Sequence, residues 1–217
     1  MSVFNPHSFL KYSFIATIFG FGTLCAQTIA IGPYLQDAEP NSINIMWETS
    51  SGDESTVEWG TTSALGNTAT GTAVTGSILS RVHDTKITGL SPNTRYYYKV
   101  VTGSAQSAIY DFITPPLPSS EASFNIVSMS DMQQDWQHPN VFSDMINQQL
   151  IPFVNTRYGN DLATDLAYIF IPGDLVAVGS LYPSWESTFF DPAEDLFHHI
   201  PVYPIAGNHE GNSPNYF

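Results

Sequence analysis

Six side chains stand out for the chemistry their types permit: Asp131, Gln133, Asp174, Asn208, His209 and Glu210. They fall in three short words, "SDMQ" (130–133), "GDLVAVG" (173–179) and "GNHE" (207–210), each placed directly after an apolar run. Oxygen donors combined with imidazole suit borderline and hard ions such as Zn, Mn and Fe. One carboxylate, placed centrally, can bridge two ions roughly 3.5 to 4 Å apart, and such a pair can clamp a phosphate and activate a water. Asp174 is the best candidate for that bridge. Gly173 and Gly207 serve the same end, because a residue without a side chain lets a strand turn sharply and bring its last polar group inward.

Three words scattered over some eighty residues act together only if the fold gathers their ends. The segments "SFNIVSMSD" (123–131), "DLAYIFIPGD" (165–174) and "IPVYPIAGNHE" (200–210) read as apolar strands ending in these polar groups. Between the first two, the pattern predicts a helix from about Pro139 to Ile151, opened by a proline and stopped by Pro152. A shorter helix around Pro192 to His199 links the second strand to the third. Strand, helix, strand in this order implies parallel strands joined by crossovers, with both faces of the sheet covered. Ligands of open α/β sheets bind at the C-terminal strand edge, so the three words are expected to converge there.

The preceding residues have a different period. "SINIMWETS" (42–50), "STVEWG" (55–60), "RVHDTKITGL" (81–90), "TRYYYKVVTG" (94–103) and "SAIYDFIT" (107–114) alternate partly in steps of two and are rich in Val, Ile, Thr, Tyr and Trp. Such strands, without intervening helices, predict an antiparallel sandwich over residues 27–114. Within "GLSPNTRYYYKV", Leu90 would plug the core, Pro92 and Asn93 turn the chain, and Tyr96 fold its hydroxyl back as a tyrosine corner. Trp47 and the LxPxTxYxY pattern from Leu90 to Tyr98 resemble fibronectin type III modules. "PPLPSS" (115–120) cannot join a ladder and reads as the linker to a second domain, 121–217. The expected fold class is therefore an all-β sandwich followed by an α/β domain.

The N-terminus adds a location. "SFIATIFGFGTLCA" (13–26) is uncharged, apolar and short for a membrane span, and Ala26 offers a small residue for cleavage, so residues 1–26 read as a signal peptide of a secreted, periplasmic or cell-surface protein. A retained anchor is the alternative. Twenty acidic against six basic side chains give a net charge of −14, which disfavours binding nucleic acid or anionic lipid by bulk charge. Cleavage after Ala26 would remove Cys25, the one cysteine, and leave the fold without disulfides.

Taken together, "SDMQ", "GDLVAVG" and "GNHE" resemble the first three motifs of the calcineurin-like metallophosphoesterases, and the sandwich resembles the N-terminal domain of purple acid phosphatases. The resemblance implies hydrolysis of a phosphate ester at a site of two Fe, Zn or Mn ions. In it Asp131 binds the first ion, Asp174 bridges both and Asn208 binds the second. His209 contacts the phosphate and assists the leaving group, while Glu210 supports the surrounding shell. Two departures stand out. Where purple acid phosphatases carry the tyrosine that gives them their colour, this chain has Ala177, so no purple colour is expected. Where many relatives carry a histidine, it has Gln133, either a weak metal ligand through its amide oxygen or a hydrogen-bond partner of a ligating carboxylate. The family's downstream histidines, including a GHxH pattern, have no counterpart before Phe217, which implies an N-terminal portion of a longer enzyme. A second reading is a complete binding or adhesion module with a vestigial metal half.

The other histidines have plainer expectations. His83 decorates a strand; His198 and His199 close a short helix whose dipole favours cations there. His138 is a weaker candidate for a substrate contact. Asp135 and Trp136 either line the mouth of the crevice or, for Trp136, cover the sheet edge, and Tyr96, Tyr97 and Tyr98 are strand residues.

Overall fold

The computed structural model describes residues 26–77 and 79–216. The proposed signal peptide, apart from Ala26, lies outside them. Two antiparallel sheets form the first half. One has the order β1-β2-β6-β5, from β1 (Ile29–Glu39), β2 (Ser42–Thr49), β5 (Thr72–Thr75) and β6 (Arg81–Thr88). The other runs β4-β3-β7-β8, from β3 (Thr56–Gly60), β4 (Asn67–Thr70), β7 (Arg95–Thr102) and β8 (Ala105–Gln106), with β9 (Tyr110–Ile113) also paired to β7. Alternate residues from both sheets, including Ile43, Ile45, Trp47, Val57, Tyr98 and Phe112, close a dry core. Leu90 is buried, Asn93 takes a left-handed turn at φ 48°, and the Ser91 amide donates to Tyr96 Oη at 2.9 Å, which is the expected tyrosine corner. Sequence periodicity does not mark β1, because Gly32, Pro33 and the left-handed Asp37 (φ 49°) interrupt it and its pairing with β2 shifts register at three places.

The second half carries a parallel sheet of order β10-β11-β12, from β10 (Ile126–Ser128), β11 (Tyr168–Ile171) and β12 (Val202–Pro204). These strands are shorter than their apolar runs, because the chain leaves the ladder before each polar word. The first helical stretch runs through Pro152: α1 (Val141–Asp144), a π-helical stretch (Met145–Leu150) and α2 (Ile151–Arg157). Proline lacks an amide and its ring clashes with the carbonyl four residues back. The wider π turn relieves this, since the Ile151 amide bonds Ile146 O, five residues back, just before Pro152. The second stretch repeats the device. It starts at Tyr182, ten residues before the expected Pro192, and runs through α4 (Tyr182–Trp185), a π-helical stretch (Glu186–Phe190), a 3-10 turn (Asp191–Ala193) and α5 (Glu194–Phe197). There the Asp191 amide reaches Glu186 O immediately ahead of Pro192. A short α3 (Leu162–Asp165), capped by the Asp161 side chain on the Thr164 amide, precedes β11.

The expectation that both sheet faces are covered is corrected. Ile169, Ile171 and Val202 pack on Phe142, Ile146, Phe189 and Leu196 from the helices. The opposite face, with Tyr168, Phe170 and Tyr203, borders a cavity of about 760 Å³ walled by Pro115, Pro118 and Phe124.

Polar contacts join the halves. Tyr98 Oη donates to His198 O at 2.8 Å, and Tyr182 Oη donates to Glu48 Oε2 at 2.7 Å. Arg95 pairs with Asp111 of its own sheet and reaches Asp161 at 2.6 Å and Thr164 at 2.7 Å, while His199 Nδ1 lies 2.7 Å from Asp111.

Candidate metal centre

Each polar word occupies the loop after its strand, and the loops interlock. Asp131 (φ 57°) and Asp174 (φ 54°) both take left-handed backbone, which costs a non-glycine residue on the order of 1–3 kcal/mol and persists only where surroundings enforce it. What enforces it is hydrogen bonding between words. The Asp131 amide donates to Gly173 O at 3.3 Å, tying the first loop to the second. The His209 amide donates to Asp174 Oδ1 at 3.0 Å, tying the third to the second.

Glu210 is the hub of this arrangement. Its carboxylate is buried, at 2% exposure, and accepts four backbone N–H bonds. Oε1 takes those of Leu175 (2.8 Å) and Val176 (3.0 Å); Oε2 takes those of Asp174 (3.0 Å) and Gly207 (2.7 Å). Converging amide dipoles replace the water such a charge loses on burial. The glycines are required by the same closeness. A Cβ at Gly207 would fall 2.2 Å from Asp174 Oδ1, and one at Gly173, where φ is +116°, would fall 3.1 Å from Gly207 Cα.

The side chains at this edge are oriented by their neighbours. His209 Nδ1 lies 2.8 Å from Ala177 O and donates to it, which fixes the tautomer and leaves Nε2 with a free lone pair. The carbonyl at Ala177, the position that departs from the coloured relatives, therefore aims the histidine. Asp174 spends Oδ1 on the His209 amide, Asp131 accepts the Ser130 hydroxyl on Oδ2 at 2.6 Å, and Asp131, Asn208 and His209 are exposed at the edge. Gln133 is half-buried, and its Oε1 is a buried acceptor with no hydrogen-bond donor. That oxygen is open to a cation or a donor, while a hydrogen bond to a ligating carboxylate would have to come from the amide NH₂.

Among the described residues no group of three His, Cys, Asp or Glu side chains is placed to hold a metal ion. The available set is Asp131 and Asp174 with the amides Gln133 and Asn208. Oxygen donors of this kind, one of them otherwise unsatisfied, fit a hard divalent cation.

Other candidates fall away from the edge. His83 is fully buried between Thr49 and Ser55, with both hydroxyls 2.8 Å from its ring nitrogens, and it stacks on Trp47. His198 does not act as a helix-end cation, because burial lowers it to about 4, and burial also lowers His199, which lies against Asp111. His198 stacks on Tyr110 at 4.0 Å. His138 pairs with Asp135 at 3.1 Å, and hydrogen bonding from the Gln137 amide and then from His138 lowers the Asp135 carboxyl. Trp136 is 92% exposed and covers no sheet edge.

Comparison with known proteins finds a similarity for each half. Residues 31–114 match the family model of the purple acid phosphatase N-terminal domain, and residues 124–217 match that of calcineurin-like phosphoesterases. The second half is therefore similar to the calcineurin-like phosphoesterases, and the first to the domain that precedes the catalytic one in purple acid phosphatases. A solved structure of PhoD overlays on this chain with a TM-score of 0.53 at 13% identity, over 83% of this chain and 39% of PhoD. The chain thus spans less than half of PhoD's length. Looser overlays include the sensor domain of the anti-sigma factor RsgI4 in Pseudobacteroides cellulosolvens (18% identity, 45% of this chain and 99% of that one, TM-score 0.35). Another is the sixth fibronectin type III domain from human fibronectin type III domain containing protein 3 (24% identity, 44% and 92%, TM-score 0.28). No curated protein matches the chain.

Proposed function

We propose that this protein is exported and hydrolyses phosphate esters at a two-ion site held by Asp131, Gln133, Asp174 and Asn208, with His209 acting on the phosphate. Asp174 would be the residue shared between the ions, with Oδ1 also accepting from the His209 amide. Two ions bound there would polarise the phosphate and supply an activated water. The observation that supports the reading is the Nδ1 contact of His209 with Ala177 O, which leaves the exposed residue's Nε2 unspent. When protonated, Nε2 donates to the phosphate or to the departing ester oxygen; when neutral it accepts. Glu210 keeps the second and third loops in register. Export is supported by the apolar run 13–26 ahead of Ala26.

His209→Ala is expected to lower kcat for a generic aryl phosphate by about 10² to 10⁴-fold with metal content unchanged. Undiminished kcat in that variant would remove His209 from the chemistry.

A further inference from the structure

Between the two halves lies a second cavity of about 640 Å³, lined by none of the residues assigned above to metal or phosphate. That volume is in the range of small-molecule sites. Its walls are aromatic and come from both halves: Tyr34 from the sandwich, Tyr182, Trp185 and Tyr216 from the phosphoesterase half. Into this setting the sandwich places a buried carboxylate, Glu48, which is 4% exposed.

Glu48 lacks a counter-charge. Among the described residues it takes part in no ion pair, whereas Asp37, the other acidic residue of the lining, is paired with Lys86 at 3.4 Å. Oε2 of Glu48 accepts one hydrogen bond, from Tyr182 Oη. No donor among the described residues bonds Oε1. Glu48 lines the cavity, so a cation entering there could pair with the oxygen that the Tyr182 hydroxyl leaves unused. Gly76 keeps the approach open, since a Cβ there would fall 3.1 Å from Glu48 Oε1 and 2.6 Å from Tyr182 Oη.

We propose that this cavity binds a small organic ammonium ion, with the charged nitrogen on Glu48 and the apolar part against the aromatic walls. Aromatic faces attract cations, and the net charge of −14 raises their local concentration. A neutral ligand of the same shape would leave the carboxylate uncompensated.

The test is calorimetric titration of the chain with tryptamine and with its neutral counterpart indole-3-ethanol. Tryptamine is expected to bind about tenfold tighter or more, and Glu48→Gln to bring the two ligands level. Should that variant fail to fold, the wild-type preference decides alone, with nuclear Overhauser contacts from ligand to the Tyr182 ring marking the cavity. Equal affinity of the two ligands, no tryptamine binding at millimolar concentration, or unchanged binding by folded Glu48→Gln would overturn the proposal.

Discussion

His83 and His198 show how a residue's surroundings outweigh its type. Both are enclosed, and desolvation pushes each from 6.5 to about 4, helped for His83 by Arg81 and for His198 by His199. Serine and threonine hydroxyls suit His83, because each can turn to donate to or accept from a neutral ring. The folded state therefore resists protonation that the unfolded chain accepts, so stability is full above 6.5 and falls as pH drops from 6.5 towards 4. Glu186, Asp191 and Glu194 act in the opposite sense at lower pH, since burial raises them. Urea midpoints compared at about pH 7.5 and about pH 5.5 isolate the histidines, with the lower midpoint expected at the lower pH. At this scale the sequence carries the ligand types but not their settings. Asp131, Asp174, Asn208 and His209 are legible from their words as candidates, whereas the burial of His198 depends on Tyr110, which is distant in sequence and has no local signal.

Elements are legible where one period persists and are lost where proline interrupts it. Pro152 and Pro192 read locally as a stop and a start, yet both helical stretches run through them, because a π turn placed just before each proline removes the clash. The coupling of the loops after β11 and β12 is equally hidden. Nothing in "GNHE" announces that its last residue holds the backbone of a word more than thirty positions earlier. Yet Glu210 accepts from Asp174, Leu175 and Val176. Glu210→Gln turns one acceptor oxygen into an NH₂ facing amide donors, with an expected loss of about 2–4 kcal/mol in urea unfolding. Faster hydrogen exchange at Asp174, Leu175 and Val176 should accompany it, placing the loss in this loop. Unchanged exchange there would show that the carboxylate does not hold it.

At the scale of the molecule, the sandwich braces the phosphoesterase half through Tyr98 on His198, Arg95 on Asp161 and Tyr182 on Glu48. These contacts explain how an antiparallel module can set the pose of a parallel sheet whose strands are only three or four residues long. The two architectures are readable from the change of period near Pro115, while the joint between them is not, since each half contributes single polar residues to it. The central proposal is that three loop ends, gathered at one sheet edge, form a metal centre around Asp174. Its most direct test is water-proton relaxation during titration of the chain with Mn²⁺. Enhancement is expected in the wild type and is expected to be lost in Asp174→Asn; no enhancement in the wild type, or the same enhancement in both, would contradict a metal centre at this edge.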